Sequence, residues 1–452
     1  MRARFIPILN GRGILLAGAA ATTAILISSL GAVINHTGVV LFLLLVTLFT
    51  LLVGEKLIWQ AREVTFGIVV GGLIVQFIDI ALVMINNITL PKEWDFLCFW
   101  LSGTVAAQKL NFYDPASYHG TTLPLIPNEE FVNEFMKVGF PYLPPAIFLY
   151  LPLGFFNYAP AYLLWYVVML VTMLLCVLLL WRIYLPEARP AVLLLLLSLL
   201  LLLPPTHSTI EFGQTNFFVL LAILLVWRYR TSFAGGFALA FGLFVKPLVG
   251  VFLLFLFLRR HFRAFSGCVA GITVGMLVTA VIFGWETTTR YFETNVATAL
   301  PRYVYIQSIN KSLLSNILRA TNYDLTSNVP IYNPGFLTCS VILLSVTAVL
   351  ISKRSLVDEH LAFLSTYTVA LLLYPATWQH YSVGLILPVL YIWKIRDRLI
   401  GGSISAAVYV AATYFLLTTY QGRYTFFANF LAWAVISGEA LRQLAGSNDL
   451  KR

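Results

Sequence analysis

The sequence predicts an all-α polytopic membrane protein with about 12 transmembrane helices and one broken-helix hairpin. Of its 452 residues, 60% are hydrophobic and only 11% are charged, whereas a soluble domain carries about 25% charged residues. Apolar runs long enough to cross a bilayer recur along the chain. Lysines and arginines, which give a net charge of +10, form short clusters between these runs. That pattern indicates membrane topology rather than a nucleic-acid-binding surface.

Each span is predicted from an apolar run of about 20 residues, or somewhat fewer beside short flanks. In chain order the spans lie near residues 13–34, 39–55, 66–87, 160–182, 191–205, 214–228, 264–285, 336–352, 360–376, 381–394, 402–420 and 425–443. Two further apolar stretches are interrupted, residues 141–157 by four prolines and residues 233–258 by Lys246-Pro247. Broken helices at membrane depth are tolerated where protein or a cavity covers them. We therefore expect 141–157 not to cross, and 233–258 to form a hairpin of two half-helices.

The distribution of positive charge predicts the orientation of these spans. With the arginine-containing N-terminus in the cytoplasm, most lysines and arginines fall on the cytoplasmic side, provided that the two interrupted stretches behave as expected. We therefore expect an integral inner or plasma membrane protein with both termini in the cytoplasm. Two long segments, residues 88–159 and 286–335, then face outward, so any chemistry is expected on the outer face.

Asp95 is the candidate catalytic residue. It follows a predicted span in the first outer loop, with Trp94, Phe96, Phe99 and Trp100 around it. A carboxylate beside an apolar wall suits the role of a general base, and aromatic rings suit the apolar face of a sugar. The alternative is an ordinary interfacial acid within an aromatic belt.

Four outer cations are candidates for contact with a phosphate. His380 lies in a short outer turn, and Arg302, Lys311 and Arg319 lie in the second long outer segment. Arginine and lysine bind phosphate through charge-assisted hydrogen bonds, and histidine contributes a donor near neutral pH. The alternatives are a hydrogen bond within the turn for His380 and plain solvation for the loop cations, which we favour for Arg319.

Several further polar residues have both a functional and a structural interpretation. Lys246, within a broken helix, needs a partner or a cavity. It could pair with Asp79, which we favour, extend to the membrane surface, or contact the donor phosphate. Gln214 and Asn216 start an outer helix, where they could bind substrate or satisfy free amides. Asp114 either assists an acceptor or caps the Tyr-Asp-Pro turn, which we favour.

The sequence gives little support for a metal site. His207 and Glu211 are four residues apart, but they follow Pro204-Pro205, so a helical face is not assured. The four cysteines form no C-x-x-C pair, which argues against zinc and against a disulfide framework. They are Cys98, Cys176, Cys268 and Cys339.

Short motifs occur in the order found in one enzyme family and on matching sides of the predicted membrane. They are D-F-x-x-x-W-x-x-G (Asp95, Phe96, Trp100, Gly103), Y-D-P (Tyr113, Asp114, Pro115), Pro144-Pro145 with the apolar run to Pro152, Gly213-Gln214-Thr215-Asn216, Gly235-Gly236 with Lys246-Pro247 and Arg259-Arg260, Asn310-Lys311-Ser312-Leu313 with Arg319, and Trp378-Gln379-His380-Tyr381. Over about residues 66–440 the chain resembles glycosyltransferase family 87 of the GT-C superfamily. It departs from that pattern at Thr377, where Ser is usual, and at Tyr381, which replaces a second His.

The resemblance implies a helical bundle of GT-C type and an inverting glycosyltransferase acting on the outer face. Its donor would be a polyprenyl-phosphate sugar, most often mannose, and its acceptor a lipid or glycan. Asp95 would be the base. The residues implied in donor-phosphate or substrate binding are His380, Lys246, Arg302, Lys311, Gln214, Asn216, Trp100 and Asp114. No metal and no cofactor are implied, because the lipid-linked sugar is a co-substrate.

The same resemblance divides the chain. Residues 66–335 would form the catalytic membrane core, with the two outer segments as its loops. Residues 336–452 would complete the core, and residues 1–65 would be an N-terminal addition of two spans.

Other functions stay open from the sequence. A transporter or flippase of a lipid-linked sugar would need intramembrane charges along a pathway, whereas this chain has long polar outer segments. Another GT-C transferase, such as an arabinose, aminoarabinose or oligosaccharide transferase, stays open because Glu93 and Asp95 have the Glu-x-Asp spacing of acidic motifs in such enzymes. A non-catalytic scaffold is the third alternative.

Overall fold

A computed structural model describes most of the chain beyond the first two predicted spans. The described residues are 59–89, 95–119, 140–188, 192–293, 305–321, 330–418 and 424–449. Within these ranges the secondary structure is helical, with one isolated β-bridge between Asn310 and Trp378 and no named strand. The predicted all-α class is therefore confirmed, while the spans near 13–34 and 39–55 lie outside the described residues.

Short 3-10 helices connect many of the α-helices. The α-helices of the described residues, numbered in chain order, are α1 (Trp59–Thr89), α2 (Asp95–Ala107), α3 (Ala116–His119), α4 (Ile147–Tyr150), α5 (Tyr158–Tyr184), α6 (Val192–Leu201), α7 (Pro204–Glu211), α8 (Asn216–Tyr229), α9 (Phe233–Val245), α10 (Phe252–Leu258), α11 (Phe262–Phe283), α12 (Trp285–Tyr291), α13 (Leu313–Ala320), α14 (Pro334–Ser352), α15 (Glu359–Leu373), α16 (Ile386–Lys394), α17 (Gly402–Thr418) and α18 (Thr425–Asp449). From His360 to Leu372 every residue of α15 is buried, so this helix lies at the centre of the bundle.

Four of these helices are long and apolar enough to cross a membrane, namely Val70–Ile88 within α1, α5, α11 and α14. The pair α6 and α7 makes a fifth if it counts as one span bent by 72°. The predicted number of about 12 spans is not confirmed, because several predicted runs form apolar helices of only 10–17 residues. At a rise of 1.5 Å per residue these are shorter than the hydrocarbon core of about 30 Å.

The proline-rich stretch forms three short helical pieces rather than a span. A 3-10 turn at Pro144–Ala146 leads into α4 and then a second 3-10 helix at Leu151–Phe155. This stretch packs closely on α2, where Gly103 and Gly154 meet backbone to backbone, so a Cβ on either glycine would collide with the other segment. The contact fixes the position of α2, which begins at Asp95.

The second interrupted stretch turns back on itself. Helix α9 ends at Val245, Lys246 has an extended backbone (φ −151°, ψ 114°), and a 3-10 helix from Pro247 leads into α10. On one flank, Arg230 Nη2 lies 2.7 Å from Glu359 Oε2, and on the other His261 Nε2 lies 2.5 Å from Glu359 Oε1. Because both flanks contact the Glu359 carboxylate, the segment begins and ends at the same end of the helical bundle. This is expected for a hairpin around Lys246.

Basic residues from distant parts of the chain gather at the end of the bundle that contains Glu359. Arg259 donates to the carbonyl oxygens of Leu350 and Val357, and Arg354 donates to the carbonyl of Leu258. A cavity of about 460 Å³ opens beside them, lined by residues that include Trp227, Lys394 and Arg398. Lys246, at the tip of the hairpin, lies the length of α9 away from this basic end.

Candidate active site

Three separate segments meet near the tip of the hairpin. They bring together Asp95 at the start of α2, Gln214 in the turn before α8, and Lys246 after α9. Lys246 Nζ donates to Gln214 Oε1 at 3.0 Å, and the side chain of Gln214 also lies close enough to Asp95 to interact with its carboxylate. The amide therefore lies between an ammonium and a carboxylate, whose charges attract each other. Lys246 and Gln214 are 1% and 4% exposed, and Asp95 is partly buried.

A glycine turn aligns Gln214 with Asp95. Gly213 has a φ of +66°, a conformation that favours glycine. A Cβ at this position would lie 2.8 Å from Cβ of Phe96. The backbone N–H of Phe96 donates to the carbonyl of Phe212 at 3.2 Å. The first turn of α2 is thus hydrogen-bonded to the turn that carries Gln214.

The short turn after α15 contributes two aromatic side chains. Lys246 Nζ lies 3.5 Å from the ring centroid of Tyr381, which is a cation–π contact. His380 is 2% exposed, and its ring centroid lies 5.0 Å from that of Tyr381. Within the described residues the His380 ring makes no hydrogen bond, so its nitrogens are available to a ligand. Tyr381, the departure from the family pattern, supplies the π face for Lys246.

The expected pair between Lys246 and Asp79 is wrong. Asp79 Oδ2 instead lies 3.0 Å from His207 Nε2, and His207 Nδ1 lies 3.8 Å from Glu211. The physical reason is the order of helix packing: α1 packs on α6 and α7, while Lys246 faces α8 and the His380 turn. No group of three His, Cys, Asp or Glu suited to a metal occurs in the part of the chain that the structure describes.

The N-K-S-L motif packs against the turn that carries His380. Asn310 Nδ2 donates to the carbonyl of Pro375 at 2.9 Å, and Ser312 Oγ donates to the same oxygen at 3.0 Å. The backbone N–H of Lys311 donates to the carbonyl of Thr377 at 2.5 Å. These three bonds hold the turn in place, which gives the motif a positioning role.

The loop cations have local partners in the structure. Lys311 is buried, and its Nζ donates to the carbonyl of Ser308 at 2.5 Å. Arg319 donates to the carbonyl of Gln307 at 2.7 Å and to Asn316 Oδ1 at 3.1 Å, so it braces its own loop. Plain solvation, which the sequence favours for Arg319, is therefore not what the structure shows. Arg302 lies outside the described residues.

Three predicted site residues have structural partners apart from the Asp95 cluster. Trp100 is buried and its Nε1 donates to the carbonyl of Phe156 at 2.9 Å. Asp114 Oδ1 accepts from the backbone N–H of Ala116 at 3.0 Å, as predicted for a turn cap. Asn216 Nδ2 donates to Thr209 Oγ1 at 3.1 Å, which ties α8 to α7.

Sequence reasoning missed two side chains beside Asp95. Cys98 lies three residues later, about one helical turn along α2. Its thiol is close enough to Asp95 to interact electrostatically with the carboxylate. Tyr150, from the proline-rich stretch, is fully buried and also lies within the field of Asp95. The spacing of Cys98 was a usable signal, whereas nothing in the sequence indicates that the stretch carrying Tyr150 folds against α2.

The cluster combines the groups that displacement of a phosphate requires. A partly buried carboxylate held by an amide can accept a proton from a hydroxyl. An ammonium and an imidazole beside it can stabilise the negative charge that develops on a leaving phosphate. The arrangement therefore suits group transfer from a phosphate ester to a hydroxyl.

The family model of glycosyltransferase family 87 matches residues 140–376 of the chain. The matched region contains Gln214 and Lys246; Asp95 precedes it and His380 follows it. No curated protein and no solved structure matches the chain. The family predicted from the motifs is confirmed.

Proposed function

The chain belongs to glycosyltransferase family 87, and we propose that this membrane glycosyltransferase moves a sugar from a polyprenyl-phosphate donor to a lipid or glycan acceptor. Mannose is the first candidate for the sugar. The observation that carries the proposal is the bridge from Asp95 through Gln214 to Lys246. It supports the proposal because it holds a carboxylate and an ammonium close together in the fold.

In the proposed inverting reaction, Asp95 takes the proton of the acceptor hydroxyl as its oxygen attacks the anomeric carbon. The bond from that carbon to the phosphate oxygen breaks, and the electron pair leaves with the lipid phosphate. Lys246 and His380 stabilise the departing charge. Gln214 orients Asp95 and holds Lys246 in place. Protonated Asp95 then loses its proton to water.

A helix packed against the hairpin supports a lipid-bound donor, since α11 contacts α9, which ends next to Lys246. The outer surface of α11 is apolar, with Val274, Leu277 and Val281 at 51%, 54% and 85% exposure. Such a surface suits contact with lipid chains rather than with water. A polyprenyl chain could thus lie in the bilayer while its phosphate reaches the polar cluster.

We further propose that the Asp95 cluster faces the non-cytoplasmic side and that both termini lie in the cytoplasm. The basic residues around Glu359 gather at the opposite end of the hairpin from Lys246. Cytoplasmic ends of membrane proteins carry the excess of lysine and arginine. Labelling of a cysteine at position 95 from outside the cell, but not from the cytoplasm, tests this orientation.

A donor comparison tests the proposed function. Purified protein is incubated with a membrane lipid extract and with radiolabelled mannose, arabinose or aminoarabinose on a polyprenyl phosphate. Transfer from the mannose donor supports the proposal, and transfer from only one of the others corrects the sugar. If no sugar is transferred from any of the three donors and the intact donor crosses the vesicle membrane, the protein is a flippase rather than a transferase.

A further inference from the structure

Two buried hydroxyl groups beside the Asp95 cluster form no hydrogen bond of normal geometry with the residues that the structure describes. The side chains of Tyr150 and Thr215 are both 0% exposed. Neither Tyr150 Oη nor Thr215 Oγ1 makes a hydrogen bond of normal geometry with a described residue. A buried hydroxyl without a partner is unfavourable, because it has lost its bonds to water, and native structures rarely contain one without a reason.

Thr215 has an unusual position for an unpaired hydroxyl. It follows Gln214 directly and is the N-cap residue of α8, but its side chain makes no capping bond. An N-cap threonine normally accepts a bond from a free amide of the first turn. Here the hydroxyl lies near that of Tyr150, although the two do not meet in hydrogen-bonding geometry.

Tyr150 is fixed in place by aromatic neighbours on both sides. Its ring stacks on Phe99 with centroids 4.5 Å apart and an interplanar angle of 16°, and the ring of Trp165 lies at 5.6 Å. Phe99 lies one helical turn after Asp95 on the same face of α2, as side chains four residues apart do. The hydroxyl of Tyr150 also interacts electrostatically with the carboxylate of Asp95. Its position beside the carboxylate is thus determined by packing.

We propose that Tyr150 and Thr215 form a subsite that binds one hydroxyl of the sugar lying against Asp95. This inference rests on the proposed function. Each protein hydroxyl can donate one hydrogen bond and accept two, so a sugar hydroxyl placed between them satisfies both. The pair thereby discriminates between sugars by the presence and orientation of one hydroxyl. It determines specificity and does not act as a base.

Deoxy substrates test the subsite directly. Transfer is measured with a polyprenyl-phosphate mannose donor and with donors lacking one ring or exocyclic hydroxyl, and in parallel with acceptors lacking single hydroxyls. A site built to hydrogen-bond a substrate hydroxyl rejects the analogue that lacks it. We expect wild type to lose at least about tenfold in kcat/KM for one deoxy compound. If the loss occurs with a deoxy donor, the subsite binds the donor sugar; if it occurs with a deoxy acceptor, the subsite binds the acceptor.

The variants Tyr150→Phe and Thr215→Val should remove that discrimination for the same deoxy compound and slow transfer of the complete sugar. Thr215→Ser keeps the hydroxyl and should keep the discrimination. Tyr409→Phe is the matched control, since Tyr409 on α17 is also a buried tyrosine whose hydroxyl forms no hydrogen bond of normal geometry with a described residue. It should leave the discrimination unchanged.

Two results would overturn the subsite while leaving the proposed function intact. Wild type could transfer every deoxy sugar as well as the complete one, or Tyr150→Phe could slow all substrates equally, as a purely structural change would. If wild type transfers no sugar from any donor, the proposed function fails, and the subsite fails with it.

Discussion

Gln214 Oε1 accepts a hydrogen bond from Lys246 Nζ at 3.0 Å, and this contact links the motif turn before α8 to the tip of the hairpin. The same side chain reaches Asp95, so one neutral amide orders two charged groups. Replacing the amide therefore tests the cluster without removing either charge.

Gln214→Leu should reduce transfer by about 10²–10³-fold, the scale of losing one oxyanion-hole donor. Lys246 would lose its hydrogen-bond acceptor, and Asp95 would lose a polar neighbour. We expect the loss mainly in kcat, because the bridge holds catalytic groups. Steady-state kinetics at equal folded protein measure this. Asn216→Leu is the control, since its partner is Thr209 rather than Asp95; an equal loss in both variants would remove the special role of Gln214.

Lys246→Met should abolish most transfer, because the departing phosphate would lose its cation. It should also destabilise the fold, by up to about 3–5 kcal/mol, because removing one partner of a buried charge pair leaves the Asp95 carboxylate uncompensated. Thermal unfolding and transfer rates separate the two effects. Asp79→Asn should leave transfer close to wild type, because Asp79 pairs with His207. If exchanging the charges of Lys246 and Asp79 rescued two defective single variants, the observed partners would be incorrect.

Gly213→Ala should destabilise the protein and impair transfer. The positive φ and the close Cβ of Phe96 make an alanine there costly, by about 1–3 kcal/mol. Displacement of the turn would also move Gln214 away from Asp95. Gly438→Ala is the matched control, because it lies within α18 with no atom near the added Cβ. That change should be neutral or slightly stabilising. The midpoint of thermal unfolding in detergent measures both effects. Equal shifts for the two variants would contradict the strain at Gly213.

Glu359 should make stability depend on pH at the basic end of the bundle. Partial burial on its own would raise the pKa of Glu359, but hydrogen bonds from His261 and Arg230 outweigh it and lower the pKa from 4.5 to about 2. The carboxylate therefore stabilises the fold above pH 4.5, and this contribution is lost as the pH falls from 4.5 toward 2.

Glu359→Gln should accordingly lower the unfolding midpoint by about 2–4 °C at pH 7, with a smaller difference from wild type below pH 4.5. Glu293→Gln is the control, because its pair with Arg290 is exposed and such pairs contribute little. A difference for Glu359→Gln that stayed constant down to pH 3 would rule out this charge as the cause.

The sequence was informative where a chemical signal is local. The Lys246-Pro247 break predicted the hairpin, because a proline cannot continue the hydrogen-bonding of the preceding helix. The motif residues Asp95, Gln214 and Lys246 do meet in the structure. Their roles in the reaction stay predictions until they are assayed.

Information that depends on which helices are neighbours was not available from the sequence. Asp79 was a reasonable partner for Lys246 by depth alone, but α1 packs against α7, where His207 lies closer. Lys311 and Arg319 looked like free loop cations because their carbonyl partners become visible only in the folded loop. The number of about 12 spans stays a prediction, because apolar run length does not show where a helix ends and the described residues contain four or five candidate spans.

The most direct test of the account compares wild type with Asp95→Asn in transfer of radiolabelled mannose from polyprenyl-phosphate mannose to a membrane lipid extract. The substitution keeps the size and shape of the side chain, but it replaces one carboxylate oxygen with an NH₂ donor and removes the proton-accepting charge. The account predicts transfer by wild type and a loss of at least about 10²-fold in the variant at equal folded protein. Equal transfer by both proteins would show that Asp95 is not the base, and the mechanism built on it would be wrong.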